Sequence, residues 1–365
     1  MYETLDIYSD YLICQNNKAT ATGLADLLCG EISYDKFTRF LNGKALGSVE
    51  LWTYIKAEVR RNEKKAGGVL ILDDSIEEKP YTDENEIMCW HYSHAKSRHV
   101  KGVNILSCLV RYGNVTLAVG YEIVHKDVVF SDIASKKIKK KASLTKNEHF
   151  RNLIKQSMAN KVLFEYVLAD NWFGAKDNLE YIHNLNKYFI IGIKSNRTLA
   201  LSLEDKIKGQ FQQVTSLNLK DGQSIKVWLK GLEFPVMLIK KVFINEDNST
   251  GILYLVSNDL NHDADHLYEI YQKRWQIEVY HKSIKQNASL AKSPTKKVIS
   301  QSNHIFASII AFCKLEILQL KTCMNHFALK YKLILRANQA AMLELQPRNM
   351  REMIILMMNK TNLSL

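Results

Sequence analysis

Residues 69–75 read Val69-Leu70-Ile71-Leu72-Asp73-Asp74-Ser75, four apolar residues with Gly67-Gly68 before them and two acids after them. A short apolar run bounded by glycine fits a strand buried on both faces, here ending at Asp73-Asp74-Ser75. Further on, residues 100–110 (VKGVNILSCLV) and 115–124 (VTLAVGYEIV) flank Tyr112-Gly113-Asn114, which predicts a hairpin. Residues 146–160 carry a helical pattern. Residues 164–168 (FEYVL) predict a strand that ends in Ala169-Asp170, followed by Asn171-Trp172-Phe173-Gly174. A helix over 176–186 and a strand over 188–193 come next.

Strand, strand, strand, helix, strand, helix, strand is the order of a ribonuclease H-like fold. The expected class is therefore α/β, a ribonuclease H-like mixed sheet with flanking helices. That fold carries carboxylates at the ends of its first and fourth strands, the places of Asp73 and Asp170. Residues 196–262 break the rhythm with turns at Asp221-Gly222, Gly231, Pro235 and Asn248 to Gly251. Strands over 224–229, 236–243 and 253–257 predict a β-rich insertion. The chain divides into an N-terminal helical segment (1–66), two parts of the sheet domain (67–195 and 263–298), the insertion (196–262) and a C-terminal helical segment (299–365). In the last, residues 305–320 and 350–358 are helical, with Pro347 as the break between them.

Residues 271–285 (YQKRWQIEVYHKSIK) predict a two-faced helix with Asp263 or Asp265 near its start, where a carboxylate suits the macrodipole. Tyr271, Arg274, Glu278 and Lys285 stand at offsets 0, 3, 7 and 14. At ~100° per residue they share an arc of roughly 60° and span roughly 21 Å. Ile270, Ile277, Tyr280 and Ile284 form the separate face that a core would cover. The polar stripe thus holds one carboxylate between cations, suited to a group that meets both a metal ion and a phosphate.

Composition agrees with a polyanionic partner. The chain has 365 residues, 46% apolar and 24% charged, with 50 Lys plus Arg against 38 Asp plus Glu and a pI near 9.2. That excess favours nucleic acid first and an acidic membrane second. The start, MYETLDIYSD, is acidic without an apolar segment, so no signal peptide is expected, and no run reaches the ~18 apolar residues of a span. Six scattered cysteines with no C-x-x-C pair suit reduced thiols in a cytosolic setting. Cys89, His91 and His94 have half the spacing of a zinc site, and no second half follows.

Three other stretches keep two readings each. Leu24, Leu27 and Leu28 form an apolar stripe broken by Gly30. Ser33 is a good N-cap for residues 34–41, with Phe37, Phe40 and Leu41 inward. This pair of helices resembles a helix-turn-helix with Lys36 and Arg39 facing out, or a small bundle packed on the main domain. Arg60, Arg61, Lys64 and Lys65 form a basic hinge. The run Lys136 to Lys141 is a solvated loop or a phosphate-binding one. HYSHAKSRH (His91, His94, His99, with Lys96 and Arg98), followed by Lys101, reads as a basic loop, solvated or touching DNA. Trp172 and Trp275 are packing residues or base-stacking ones.

Asp73, Asp170 and Glu278 come from three distant segments and can converge on one sheet edge. Hard oxygen ligands of that kind suit Mg²⁺. Two ions ~4 Å apart activate a water or a 3′-hydroxyl and stabilise the leaving oxygen of a phosphodiester.

Tyr271, Arg274, Glu278 and Lys285 together make the YREK signature, and over most of residues 69–290 the chain resembles a DDE transposase of the bacterial insertion-sequence 4 group. The resemblance includes LILDDS (Asp73 with Ser75, which places Asp73 ahead of Asp74), VLADNWFG (Asp170) and the β-rich insertion. It implies that Asp73, Asp170 and Glu278 hold two Mg²⁺ ions, with Mn²⁺ as a substitute. It further implies that Tyr271, Arg274 and Lys285 contact transposon-end phosphates, and Lys282, Lys36 and Arg39 join the expected DNA contacts. Such enzymes act as dimers on double-stranded DNA: they nick the 3′ end, form and resolve a hairpin, and join the ends to target DNA. A cytoplasmic, nucleoid-associated place in a bacterium follows. The insertion in these proteins helps hold a flipped base, for which Trp228 is nominated beside its alternative as a core residue. Competing expectations are a ribonuclease H-like nuclease that cuts without joining and a non-catalytic DNA-binding relic, against which the three intact acids speak.

Overall fold

The structure is a computed structural model that describes residues 2–63, 67–93, 96–133, 136–245 and 247–345. Lys64, Lys65, His94, Pro347 and the helix expected over 350–358 lie outside the described residues. Four helices come first: α1 (Tyr2–Cys14), α2 (Ala21–Leu27), α3 (Tyr34–Leu41) and α4 (Ser48–Asn62). Ser33 caps α3 by accepting the Asp35 N–H at 3.3 Å, and Phe37 and Leu41 are buried. Arg60 is not a loose hinge cation. Its guanidinium donates to the carbonyls of Asn160 and Lys161 at 2.8 and 2.7 Å.

The strands follow as β1 (Val69–Glu78), β2 (Cys89–Ser93), β3 (Arg98–Tyr112), β4 (Val115–Ile123) and a separate pair, β5 (Val128–Asp132) and β6 (Lys137–Lys141). Next come α5 (Lys146–Ala159), β7 (Tyr166–Ala169), α6 (Lys176–Asn184) and β8 (Tyr188–Ile193). Residues 196–262 contribute β9 (Thr198–Ala200), α7 (Leu203–Ile207), β10 (Gln212–Gln213), β11 (Ser224–Leu229), β12 (Val236–Ile244) and β13 (Thr250–Ser257). The chain then runs through α8 (Ala264–Gln272), α9 (Gln276–Gln286), α10 (Val298–Thr322) and α11 (His326–Leu345).

One 11-stranded sheet runs β10-β9-β11-β12-β13-β8-β7-β1-β3, with β2 and β4 both paired to β3. β1, β7 and β8 are parallel; β3 runs antiparallel to β1, and β4 antiparallel to β3. This is a mixed sheet with flanking helices, consistent with a ribonuclease H-like fold. The strands of residues 196–262 extend the same sheet beyond β8 through β13. α10 is largely buried, with Phe306, Ile309, Ile310, Phe312 and Cys313 almost fully enclosed. Among the described residues no helix is long and apolar enough to cross a membrane. All six cysteines are free thiols.

Several local expectations change. β1 does not stop at its acids. β3 is fifteen residues long and pairs with β1 from Val69↔Arg111 to Glu78↔Gly102, giving the backbone a partner past Asp73. β7 pairs with β1 only at Val69, Leu70 and Ile71. Beyond Leu72 the sheet therefore opens on the β7 side, and the acids stand at that opening. The stretch expected as a basic histidine loop is a hairpin instead, with His91, Tyr92 and Ser93 in β2 opposite Val100, His99 and Arg98 in β3. The lysine run is a strand, β6, because β5 supplies its backbone partners. The helix over 271–285 is interrupted by a 3₁₀ turn at Lys273–Trp275. A 3₁₀ residue turns ~120° rather than ~100°, yet Arg274 still lies 5.7 Å from the Tyr271 ring centre and 3.4 Å from Glu278. Tyr271 is buried, while Ile270, Ile277, Tyr280 and Ile284 face the core as expected.

Candidate active site

A cleft of about 890 Å³ opens where β1 outruns β7. Its walls come from β1, from the segments that follow β7 and β8, from α9, and from the β2–β3 hairpin. Ligand sites in α/β sheets form at the carboxyl ends of parallel strands. Here those ends bring Asp170 after β7 and Lys194 after β8 beside Asp73 and Asp74 of β1.

Successive strand residues point to opposite faces, and this separates the two aspartates. Asp74 is fully engaged. It accepts from Asn104 Nδ2 at 2.7 Å and from Lys146 Nζ at 2.9 and 3.1 Å. Among the described residues Asp73 accepts only the Asp74 backbone N–H, at 2.8 Å, with Arg274 Nη1 4.0 Å from its Oδ2. Burial, then the Asp170 charge, then Asp74 push the Asp73 carboxyl from its ordinary 3.8 up to about 8. Burial is also the main reason that the Asp170 carboxyl is raised. Asp170 Oδ1 caps the turn Asn171–Phe173 by accepting the Trp172 N–H at 3.0 Å. Gly192 of β8 lets that turn sit close, since a Cβ there would lie 2.9 Å from the Asn171 nitrogen.

Glu278 reaches the cleft from the first turn of α9. The same Arg274 Nη1 lies 3.4 Å from Glu278 Oε1, so Asp73 and Glu278 are no farther apart than those two contacts together. α9 is fixed on both flanks. Ser107 Oγ donates to the Tyr280 hydroxyl at 3.3 Å. On the other flank Ser283 Oγ is 2.8 Å from His326 Nδ1 of α11, and His326 Nε2 is 3.2 Å from Glu316 of α10. That second contact is at ion-pair distance but is not aligned as a hydrogen bond.

The cations divide into two groups. Lys96, Lys146, Lys194, Lys282 and Lys285 line the cleft. Lys285 Nζ donates to the Ile76 carbonyl at 3.1 Å and stands 3.9 Å from Glu77. Lys282 Nζ lies 5.1 Å from the Phe327 ring centre. Tyr271 is buried beneath the Arg274 guanidinium at 5.7 Å, and neither lines the cleft. Lys36 and Arg39 are exposed on α3, with Lys36 3.8 Å from Glu3. Trp228 lies on β11 with Lys206 Nζ 5.1 Å from its ring centre. The structure brings none of these three to the cleft.

Sequence reasoning missed Lys146, Lys194 and His281. Lys146 had a signal, since a lysine at the first position of a helix opposes the macrodipole. It bridges Asp74 and the Trp172 ring, 4.6 Å away. Lys194 follows the third parallel strand and was findable from the strand-end rule. His281 lines the cleft floor with Nε2 unpartnered. Burial, helped by Lys285, lowers its pKa to about 3 and keeps the ring neutral. Trp275, whose side was open in the sequence, is 63% exposed.

Oxygen-only donors and an Asp73 left short of compensating charge fit a hard divalent cation. Among the described residues no three His, Cys, Asp or Glu side chains close on one point as a metal shell requires. The Arg274 guanidinium lies between two of the carboxylates, which accounts for their spacing.

Residues 2–206, more than half of the chain, match the family model described as DDE superfamily endonuclease. Residues 133–313 match the Transposase DDE domain. Asp73 and Asp170 fall within the first match, and Asp170 and Glu278 within the second. No curated protein matches the chain.

Proposed function

We propose, for a chain that belongs to the DDE superfamily endonucleases, that it is a DNA transposase of the insertion-sequence 4 type. It binds the terminal inverted repeats of its element, cuts the 3′ strand, forms and opens a hairpin, and joins the ends to target DNA, working as a homodimer. The observation that carries this reading is the shared cleft. Asp73 stands in β1 just past its last pairing with the parallel β7, Asp170 follows β7, Glu278 lines the same cleft from α9, and five lysines surround them.

Asp73, Asp170 and Glu278 would hold divalent cations, Mg²⁺ first and Mn²⁺ as substitute. When bound, such ions supply Lewis acidity at the phosphoryl oxygens and ease loss of the nucleophile's proton. The chain's own residues do the rest. Lys96, Lys146, Lys194, Lys282 and Lys285 bind backbone phosphates as point charges and set the strand across the acids. Trp172, 41% exposed between Lys146 and Lys194, offers a face to an unstacked base. Arg274 balances Asp73 and Glu278 until DNA and cations arrive, and then turns to a phosphate. The attacking oxygen, from water or from a 3′-hydroxyl, forms the new P–O bond. The 3′-oxygen of the cut strand leaves with the electron pair and takes up a proton.

The test uses labelled element ends, the purified protein and Mg²⁺ or Mn²⁺. Hairpins and joined products are expected, and all are lost in Asp170→Asn and Glu278→Gln. Cut ends without hairpins or joining would favour a nuclease instead. Full cleavage by Glu278→Gln would remove that residue from the site.

A further inference from the structure

We propose that the β5–β6 ribbon is a second grip on duplex DNA, outside the cleft, with the Lys139–Lys141 face lying along one phosphate strand. The inference rests on the reading of the protein as a DNA-cutting enzyme. The ribbon is a two-stranded sheet of its own, not joined to the large one. A lone two-stranded ribbon is marginal in water unless something lies against it. Val129, Ile133 and Ile138 are 61%, 92% and 77% exposed, so the rest of the described chain does not cover it.

Charge selects the partner. Residues 128–141 hold five lysines against one acid, Asp132. Directly paired residues share a face. Phe130↔Lys139 and Val128↔Lys141 lie on one side, Val129↔Lys140 and Ser131↔Ile138 on the other. Lys141 Nζ, 5.6 Å from the Phe130 ring centre, bears out the first side. Alternate residues of a strand are ~6.6–6.8 Å apart. Lysines at every second position therefore line one face of the ribbon, spaced so that neighbouring ammonium groups can meet separate phosphates of one strand, and the major groove admits a two-stranded ribbon.

Position agrees with charge. Asp127 Oδ1 accepts the Ser143 N–H at 2.8 Å, closing the ribbon at its base. Five residues after β6 stands Lys146, in the cleft wall. A duplex with its end in the cleft thus passes the ribbon's root.

Anisotropy of a labelled duplex of about 30 base pairs, titrated at several KCl concentrations without divalent metal, reads the contact. Each lost phosphate contact lowers the slope of log K against log salt by about 0.9. The double variant Lys139→Gln/Lys141→Gln is expected to flatten the slope by about 1.8, and Lys141→Gln alone by about 0.9. Lys140→Gln, on the opposite face, leaves it unchanged. Equal slopes in the double variant and the wild type overturn the proposal. So does an equal effect of Lys140→Gln, which would mean diffuse charge rather than a docked face. Loss of binding to phosphatidylserine vesicles with an unchanged DNA slope would assign the ribbon to a membrane and also overturn it. Cleavage assayed in parallel keeps the readings apart. Wild type that cuts with a slope equal to the variant's refutes the ribbon alone, and altered slopes without cutting refute the cleft alone.

Discussion

Replacing Asp73 by Asn is expected to stabilise the metal-free protein at neutral and alkaline pH, although the side chain is assigned to the reaction. In the unfolded chain an aspartate ionises near 3.9; in the fold, burial with Asp170 and Asp74 pushes Asp73 up to about 8. Below pH 4 both states hold the proton and the group costs nothing. Between pH 4 and 8 the unfolded state has released the proton and the native state has not. Native stability therefore falls by about 1.4 kcal/mol per pH unit across that window. At pH 7 the penalty is about 4 kcal/mol, which relaxation and entering water reduce toward about 2 kcal/mol. Asn cannot ionise, and it keeps an oxygen to accept the Asp74 N–H. An unfolding entropy of ~2.1 cal/mol/K per residue, over 365 residues, makes each kcal/mol worth about 1.3 °C. Thermal melts in EDTA should thus place Asp73→Asn roughly 3–5 °C above the wild type at pH 8, with the two converging near pH 4. Asp74→Asn should move the other way, by about 1–2 kcal/mol, because it breaks the partly buried contact to Lys146 at 2.9 Å. A melt of Asp73→Asn equal to or below the wild type at pH 8 would refute the account of the site's charge.

Other substitutions probe how the site is held. Gly192→Ala puts a Cβ 2.9 Å from the Asn171 nitrogen. It should cost about 1–3 kcal/mol in urea denaturation and lower cleavage by displacing the Asp170 turn; unchanged stability with full activity would show that the turn does not depend on this contact. His326→Ala takes one partner from Ser283, which keeps Asn287 Nδ2, and a neighbouring ring from Glu316, which keeps the Thr116 N–H, and should cost about 1–2 kcal/mol; a loss below 0.5 kcal/mol, the size of an ordinary surface change, would mean that α9 is held without it. Glu278→Gln should leave the melting temperature within a few degrees, since Glu278 is 42% exposed, while cleavage falls to background. Cleavage above background would count against its role.

The local elements were largely legible because their signals are local. Ser33 as a cap, the hairpin across Gly113-Asn114 and the strand over 188–193 each depend on a few neighbouring residues. The strand through Asp73 was misjudged at its far end, and the lysine run was read as a loop. In both cases the deciding fact was a backbone partner, β3 for one and β5 for the other, and pairing across tens of residues leaves no mark in the strand itself. The apolar face of α9 was correct. The polar stripe is interrupted by the 3₁₀ turn at Lys273–Trp275, although Arg274 still lies against both Tyr271 and Glu278.

By itself, the sequence determined the periodicities, the caps and turns, the excess of basic charge, and three carboxylates in segments that a ribonuclease H-like order brings to one edge. Those follow from side-chain chemistry and spacing along the chain. The tertiary structure decided which of two adjacent aspartates is saturated by Lys146 and Asn104 and which is left raised beside Asp170. It also buried Tyr271 and set Lys146 and Lys194 into the cleft wall. Burial and charge at a point are sums over everything that surrounds it, and only packing assembles those surroundings.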